Sequence, residues 1–161
     1  MTRLQLAQVN IARMKGPLDS EVMAPFVARL DELNALADRS PGFVWRLQTP
    51  EGNATYVRAY DDDRIIVNLS VWESAEALKQ YVYRSAHAEV LRSRREWFEH
   101  YDGPYMALWW VPAGHQPDVQ EAKERLEHLA AHGPTEHAFT FRELAAMTSA
   151  PPPASVLRSS T

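Results

Sequence analysis

The sequence predicts an α+β domain of the ferredoxin-like, split βαβ type, with a four-stranded antiparallel sheet and an additional helix and short strand near the C-terminus. Apolar residues alternate in four short segments, as in half-buried strands, while the segments between them repeat every three or four residues, as in helices. These segments follow the order strand, helix, strand, strand, helix, strand. Helices on one side would leave the other side of the sheet open. A second copy of the chain is therefore expected to cover it, forming a dimeric α/β barrel.

The first half of the sheet is predicted from two strands and a helix. Leu4–Arg13 forms the first strand, with Gln8 and Asn10 on the same face. A helix follows, with its apolar stripe at Phe26, Leu30, Leu33 and Leu36–Ala37. Phe43–Gln48 is the second strand, and Thr55–Tyr60 is expected to extend it into a hairpin.

The third strand ends in a pair of helices. Val67, Leu69 and Val71 point to one face of this strand, and three other residues point to the opposite face: Asn68, Ser70 and Trp72. Ser74 is the expected N-cap of a helix that ends at Tyr83, and a second helix is predicted over Ala86–Phe98.

The C-terminal part adds one strand of the sheet and three smaller elements. Tyr105–Val111 is the fourth strand, and a helix with apolar residues from Val119 to Ala130 ends at Gly133 and Pro134. His137–Phe141 is predicted as a short terminal strand and Arg142–Met147 as one helical turn. The Pro- and Ser-rich tail, 149–161, is expected to be disordered.

Composition limits the classes of function. A chain of 161 residues fits one domain, taken as 1–148, and its formal charge of −4 argues against nucleic acid as a partner. The absence of cysteine excludes disulfides, thiolate metal sites and cysteine nucleophiles. No signal peptide or membrane span is recognisable, so a cytoplasmic protein with no membrane partner is expected.

The polar and aromatic face of the third strand is the candidate binding surface. An amide, a hydroxyl and an indole on one face suit a lined cavity, which the dimer would enclose between its two sheets. The alternative is that Asn68, Ser70 and Trp72 only pack a dimer interface. His87 lies on the helix that follows, on a face shared with Tyr83, Leu91, Arg94 and Phe98.

Five long strings of the sequence resemble a widespread bacterial family of uncharacterised proteins. They are SPGFVWRLQ, VNLSVWES, YRSAHAEVLRSRREWF, LWWVPAGHQP and GPTEHAFTFR. That family is grouped with the dimeric α/β barrel superfamily, which includes antibiotic-biosynthesis monooxygenases and heme-degrading monooxygenases. The resemblance implies the fold more directly than an activity, because one fold hosts unrelated chemistries.

Two branches of the superfamily suggest roles for particular residues. Quinone-forming monooxygenases that need no cofactor carry an Asn and a Trp four residues apart on a strand, as Asn68 and Trp72 are here. The resemblance implies that the amide holds an oxyanion and that the indole shapes the pocket. Heme-degrading members place a histidine ligand near the position of His87. A general acid/base, a substrate contact and a structural hydrogen bond are the other roles open to His87.

The remaining candidates are weaker. Arg94 belongs to a basic patch that either pairs with Glu89, Glu96 and Glu99 or guides an anionic substrate. His128 and His132 stand four apart on a helix, but no third metal ligand is evident, so a solvated pair and no metal site are expected. One of Trp109 and Trp110 is expected to reach the cavity, and Trp110 is taken as that residue.

The sequence therefore predicts a homodimeric small-molecule enzyme, most similar to a cofactor-independent monooxygenase acting on an aromatic or polyketide-type substrate. Its predicted catalytic residues are Asn68, Trp72 and His87, and its predicted substrate-binding residues are Asn10, Ser70, Tyr83, Arg94 and Trp110. No cofactor is expected. A non-catalytic ligand-binding or accessory protein and a heme-binding or heme-degrading protein are the alternatives.

Overall fold

The computed structural model describes residues 3–48, 60–62, 64–85 and 87–147. Its four strands form one antiparallel sheet in the order β2-β3-β1-β4, which is the predicted ferredoxin-like arrangement. The strands are β1 (Leu4–Arg13), β2 (Phe43–Arg46), β3 (Ile65–Trp72) and β4 (Met106–Pro112). The predicted hairpin extension at 55–59 and the predicted disordered tail, 149–161, lie outside the described residues.

In the described part of the chain, five α-helices and a 3-10 helix connect and follow the strands. The α-helices are α1 (Ala24–Asp38), α2 (Ala75–Arg84), α3 (His87–Arg92), α4 (Arg94–Trp97) and α5 (Val119–His132); the 3-10 helix is Phe141–Met147. The predicted helix over Ala86–Phe98 is divided at Ser93, whose N–H is shared between the carbonyls of Glu89 and Val90. No helix in the described part of the chain is both long and apolar enough to cross a membrane.

Side-chain caps fix where α2 and α5 begin. The Ser74 hydroxyl accepts a hydrogen bond from the Ala77 N–H at 3.1 Å, which confirms Ser74 as the N-cap of α2. Asp118 caps α5 through the Glu121 N–H at 2.8 Å. Gly133 then ends α5 at φ 75°, a left-handed backbone conformation that favours glycine.

The predicted terminal strand at His137–Phe141 is wrong as a strand. Phe139 exchanges two backbone hydrogen bonds with Leu108 on the outer edge of β4, at 2.7 and 3.0 Å. Ala138 instead pairs with Thr135, so the chain turns on itself and the pairing with β4 stops after one residue. The segment thus covers the sheet edge at a single point.

Helices cover both faces of the sheet, which corrects the one-sided arrangement predicted from the sequence. Val67, Leu69 and Val71 belong to the buried cluster that also contains Ala122, Leu126 and Leu129 of α5, while the opposite face lies beneath α1, α2 and α3. The argument for a dimer through an open sheet is therefore wrong: Trp72 and Trp109 are already 1% and 0% exposed within one chain. That the chain forms a homodimer stays a prediction.

Candidate functional site

A cavity of about 840 Å³ lies between the sheet and the helices of the same chain. Its floor is the face of β3 that carries Asn68, Ser70 and Trp72, so this face points to the chain's own helices and not to a partner sheet. The predicted site residues that line it are Asn10, Asn68, Ser70, Trp72, Tyr83, His87 and Arg94. The β-strand alternation thus predicted the lining correctly and its covering incorrectly.

A hydrogen-bonded polar row crosses the floor of the cavity. The Gln8 Nε2 atom donates to the Asn68 Oδ1 atom at 2.7 Å and to the Ser70 hydroxyl at 2.8 Å. The Trp72 Nε1 atom donates to the same hydroxyl at 2.9 Å. Strands β1 and β3 hold these residues together, because Gln8 lies opposite Ser70 in the register. The row satisfies most polar groups of the floor.

Asn68 is the member of this row that faces open space. It is exposed although it lies in a central strand, because the cavity opens directly above it. Its Oδ1 atom accepts from Gln8, and its Nδ2 group has no hydrogen-bond acceptor among the described residues. The amide therefore presents a hydrogen-bond donor to the cavity, which suits an anionic or carbonyl oxygen of a ligand.

A series of rings joins Trp72 to His87. Tyr81 stacks on Trp72 with ring centroids 5.2 Å apart, and the His87 imidazole lies 4.9 Å from Tyr81. The edge of Phe43 packs against Trp72 at 5.4 Å. With 1% of its surface exposed, Trp72 offers no free ring face to a ligand. Tyr81 also lines the cavity, and its hydroxyl donates to the Leu33 carbonyl at 3.1 Å.

His87 lines the same cavity as Asn68 and Trp72, at the start of α3. Its Nδ1 atom lies 3.3 Å from the Val82 carbonyl oxygen, an acceptor, so Nδ1 carries the hydrogen and Nε2 holds a lone pair. Burial lowers the pKa of His87 below its usual value, an effect the Val82 hydrogen bond only partly opposes. His87 is therefore a neutral imidazole near pH 7.

Two arginines, Arg94 and Arg46, line the cavity. Arg94 lies over the ring of Tyr105, 4.7 Å from its centroid. Among the described residues no ion pair joins Arg94 to Glu89, Glu96 or Glu99. Glu89 pairs with Arg29 at 3.3 Å and Glu99 with Arg13 at 2.6 Å.

Arg46 was not predicted as a site residue. Its side chain is 12% exposed and pairs with Asp38 at 2.7 Å. An irregularity in β2 between Phe43 and Trp45 turns Arg46 onto the cavity face, opposite Ser70. Asn34 of α1 also lines the cavity. Its position three residues before Ala37 of the apolar stripe could have predicted that it faces the sheet.

Trp110 is the one predicted site residue that does not line the cavity. Its Nε1 atom donates to the Met147 carbonyl at 2.8 Å, and its ring packs under the C-terminal 3-10 helix. Trp110 lies opposite Leu6 in the register of β1 and β4, at a corner of the sheet that the terminal helix covers. Trp109 packs towards α5 and donates to Glu121 at 2.9 Å.

The fold and site define an α+β protein with an internal cavity that is both aromatic and polar. The chain matches the family described as Domain of unknown function (DUF3291) over residues 5–154, and it belongs to that family. No curated protein sequence matches it.

Three solved structures show what the chain is similar to in fold. SnoaB, a cofactor-independent oxygenase from Streptomyces nogalater, is 18% identical, with a TM-score of 0.46 over 70% of this chain and 95% of that chain, in a variant form. PA3566 from Pseudomonas aeruginosa is 10% identical, with a TM-score of 0.47 over 71% and 99%. A conserved protein from Methanosarcina mazei is 17% identical, with a TM-score of 0.46 over 68% and 93%.

Proposed function

We propose that this protein is a small enzyme that oxidises a phenolic aromatic or polyketide-type molecule with O2 and without a cofactor. The proposal rests on the observation that two complementary groups line the same cavity. Asn68 offers an amide donor, and His87 offers an imidazole lone pair. Formation of a phenolate-type carbanion requires two groups: a base that takes the proton and a donor that binds the developing oxyanion.

The cavity suits a flat, partly apolar substrate with acidic hydroxyls. A volume of about 840 Å³ lies within the range of small-molecule sites and accommodates several fused rings. Tyr81 supplies an aromatic wall, while Arg94 favours a substrate that carries negative charge. Trp72 acts as a positioning residue, because it is buried behind Tyr81 and bonded to Ser70.

In the proposed reaction, His87 Nε2 removes a proton from the activated carbon while Asn68 Nδ2 holds the oxygen that takes up the charge. The carbanion passes one electron to O2, and the resulting radical pair combines to a peroxide, which takes back the proton. Loss of water from the peroxide then leaves a carbonyl. A methylene group and O2 thus become a carbonyl and water, so atoms and electrons balance without another reductant.

A non-catalytic binding protein is the second candidate, and a different observation favours it. Gln8, Ser70 and Trp72 satisfy one another by hydrogen bonds, as expected for a cavity lining that only has to be stable. In this case Asn68 and His87 would bind a ligand oxygen and nothing would turn over.

Oxygen consumption with a dihydroxyanthrone tests the proposal. This three-ring phenol carries a methylene that becomes the carbonyl of the anthraquinone, so product absorbance and O2 uptake are measured together. We expect catalysed turnover above the protein-free rate, lost in Asn68→Ala and retained in Gln80→Ala, a control whose amide lies on the exposed side of α2. Binding of the anthrone without any catalysed O2 uptake would favour the binding protein instead.

A further inference from the structure

Four potential metal ligands converge at the C-terminal end of α5. Glu124, His128 and His132 follow one another at intervals of four residues, so they lie along one face of the helix. The chain then turns at Gly133 and brings His137 back against the same face. The sequence offered no third ligand for the His128 and His132 pair, because the reversal at Gly133 is a property of the fold.

The distances within this cluster are close to those of a metal site. Ligand atoms of Glu124, His128 and His137 all lie within 4.8 Å of one another. The His128 ring lies 4.6 Å from that of His132 and 4.5 Å from that of His137, centroid to centroid. Ligands of a tetrahedral zinc ion stand roughly 3.4 Å apart, so small side-chain rotations would close the site.

We propose that Glu124, His128 and His137 bind a divalent transition metal ion, preferably Zn²⁺, with His132 or water as the fourth ligand. Imidazole nitrogen and carboxylate oxygen are ligands that zinc accepts at about 2.0–2.2 Å. Magnesium and calcium are poor candidates, because they prefer sites made of oxygen ligands.

Hydrogen bonds already in the cluster are compatible with such a site. His137 Nε2 lies 2.7 Å from a Glu124 oxygen, and His128 Nε2 lies 3.0 Å from the Thr135 hydroxyl. The Arg125 guanidinium is 3.1 Å from His137 Nδ1 and 2.9 Å from the His137 carbonyl oxygen. When Nε2 binds the metal, Nδ1 carries the hydrogen, and the carbonyl then keeps the arginine bond.

The metal would fasten a segment that borders the cavity. His137 is followed by Phe139, which pairs with β4, and by Thr140, Phe141 and Glu143, which line the cavity. In the structure the segment is held by the bridge at Phe139, by the side-chain bonds of His137 and by the Trp110 bond to the Met147 carbonyl. Zinc binding would therefore stabilise the C-terminal segment on α5, and through it one rim of the cavity.

Calorimetric titration of the untagged full-length chain with ZnCl₂ tests this site without any assay of activity. We expect one Zn²⁺ per chain. The substitutions His128→Ala and His137→Ala should each weaken Zn²⁺ binding by more than about 100-fold. Loss of a residue that only hydrogen-bonds to a metal ligand already costs roughly 10- to 100-fold. His115→Ala is the matched control, because His115 also pairs with a glutamate, at 2.7 Å from Glu121, and lies outside the cluster.

Thermal unfolding of the wild-type protein gives a second readout. Zn²⁺ should raise the Tm, and EDTA should reverse the rise. If the alanine variants fail to fold, Glu124→Gln replaces them, because it keeps the size of a side chain that is exposed. Absence of binding heat and of a Tm rise in the wild type would overturn the proposal. Equal binding by the wild type and the foldable cluster variants would overturn it as well.

Discussion

Gln8 donates a hydrogen bond from its Nε2 atom to the Asn68 Oδ1 atom at 2.7 Å, and this bond sets which end of the Asn68 amide faces the cavity. Rotating the amide by half a turn would place two donors against each other. The neighbouring bond from Gln8 to Ser70 holds Gln8 in place from the opposite side. Gln8 of β1 thereby orients the Asn68 amide of β3 so that its donor faces the cavity.

Replacing Asn68 by alanine should lower turnover of the dihydroxyanthrone about a hundredfold or more, the order of loss when an oxyanion donor is removed. Asn68→Asp should be no better, because a carboxylate repels a phenolate. Gln8→Met keeps the length of the side chain and removes its bond, so we expect a smaller loss of roughly tenfold. Steady-state O2 uptake measures all three. If Asn68 only binds, Asn68→Ala should instead weaken affinity by about 1–3 kcal/mol.

The pH dependence of the same reaction should show the ionisation of His87. The base is the neutral imidazole, and burial lowers its pKa, so activity should rise with pH, reach half its maximum below the usual histidine pKa of about 6.5 and be level at pH 7. His87→Gln should lose most activity together with this acidic limb. An unchanged acidic limb in the variant would assign it to another group.

Protein stability should follow the same ionisation. Because the folded pKa of His87 is lowered, the unfolded chain binds more protons between the two pKa values. The contribution of the neutral imidazole is therefore fully present above the unfolded pKa and is lost as the pH falls through the folded pKa. Urea unfolding of the wild type and of His87→Gln across this range should show the difference, and parallel curves would contradict it.

Gly42 is expected to be irreplaceable at the start of β2. It has φ +83°, and a Cβ atom there would collide with the Ala77 Cβ of α2. Gly103 has a similar φ of +89° with nothing within 4 Å of an added Cβ, which makes it the matched control. Gly103→Ala should cost about 1–2 kcal/mol for the backbone alone, and Gly42→Ala clearly more. Equal changes in the free energy of unfolding would show that α2 does not pack tightly on this turn.

Heme should not be a stoichiometric cofactor. The Tyr81 ring lies 4.9 Å from the imidazole of His87 and is itself backed by Trp72, so bulky side chains crowd the neighbourhood that a porphyrin on His87 would need. Titration with hemin should give no Soret band that depends on His87. A band that disappears in His87→Ala would contradict this prediction and favour the heme-binding alternative.

Local periodicity was enough to predict the four strands of the sheet and the face of β3 that lines the cavity. Leu4–Arg13 was predicted with the bounds that the structure has, and alternation placed Asn68, Ser70 and Trp72 on one face. The side of the sheet that each helix covers could not be predicted, because an apolar stripe shows only that a helix packs against something. That is why α5 was not expected to cover the open face.

Two further misses have local causes. The bulge in β2 places Phe43 and Arg46 on the same face, although strict alternation puts residues three apart on opposite faces. His137 joins His128 only because the chain reverses after α5. Neither the bulge nor the meeting of the two histidines has a signature in residue spacing.

A crystal structure of the anaerobic complex with the dihydroxyanthrone tests the central claim most directly. The account predicts the rings against Tyr81, a ligand oxygen within about 3 Å of Asn68 Nδ2, and His87 Nε2 facing the methylene carbon or a hydroxyl of the ligand. A ligand bound outside the cavity, or bound inside it with its oxygens directed away from both Asn68 and His87, would contradict the account.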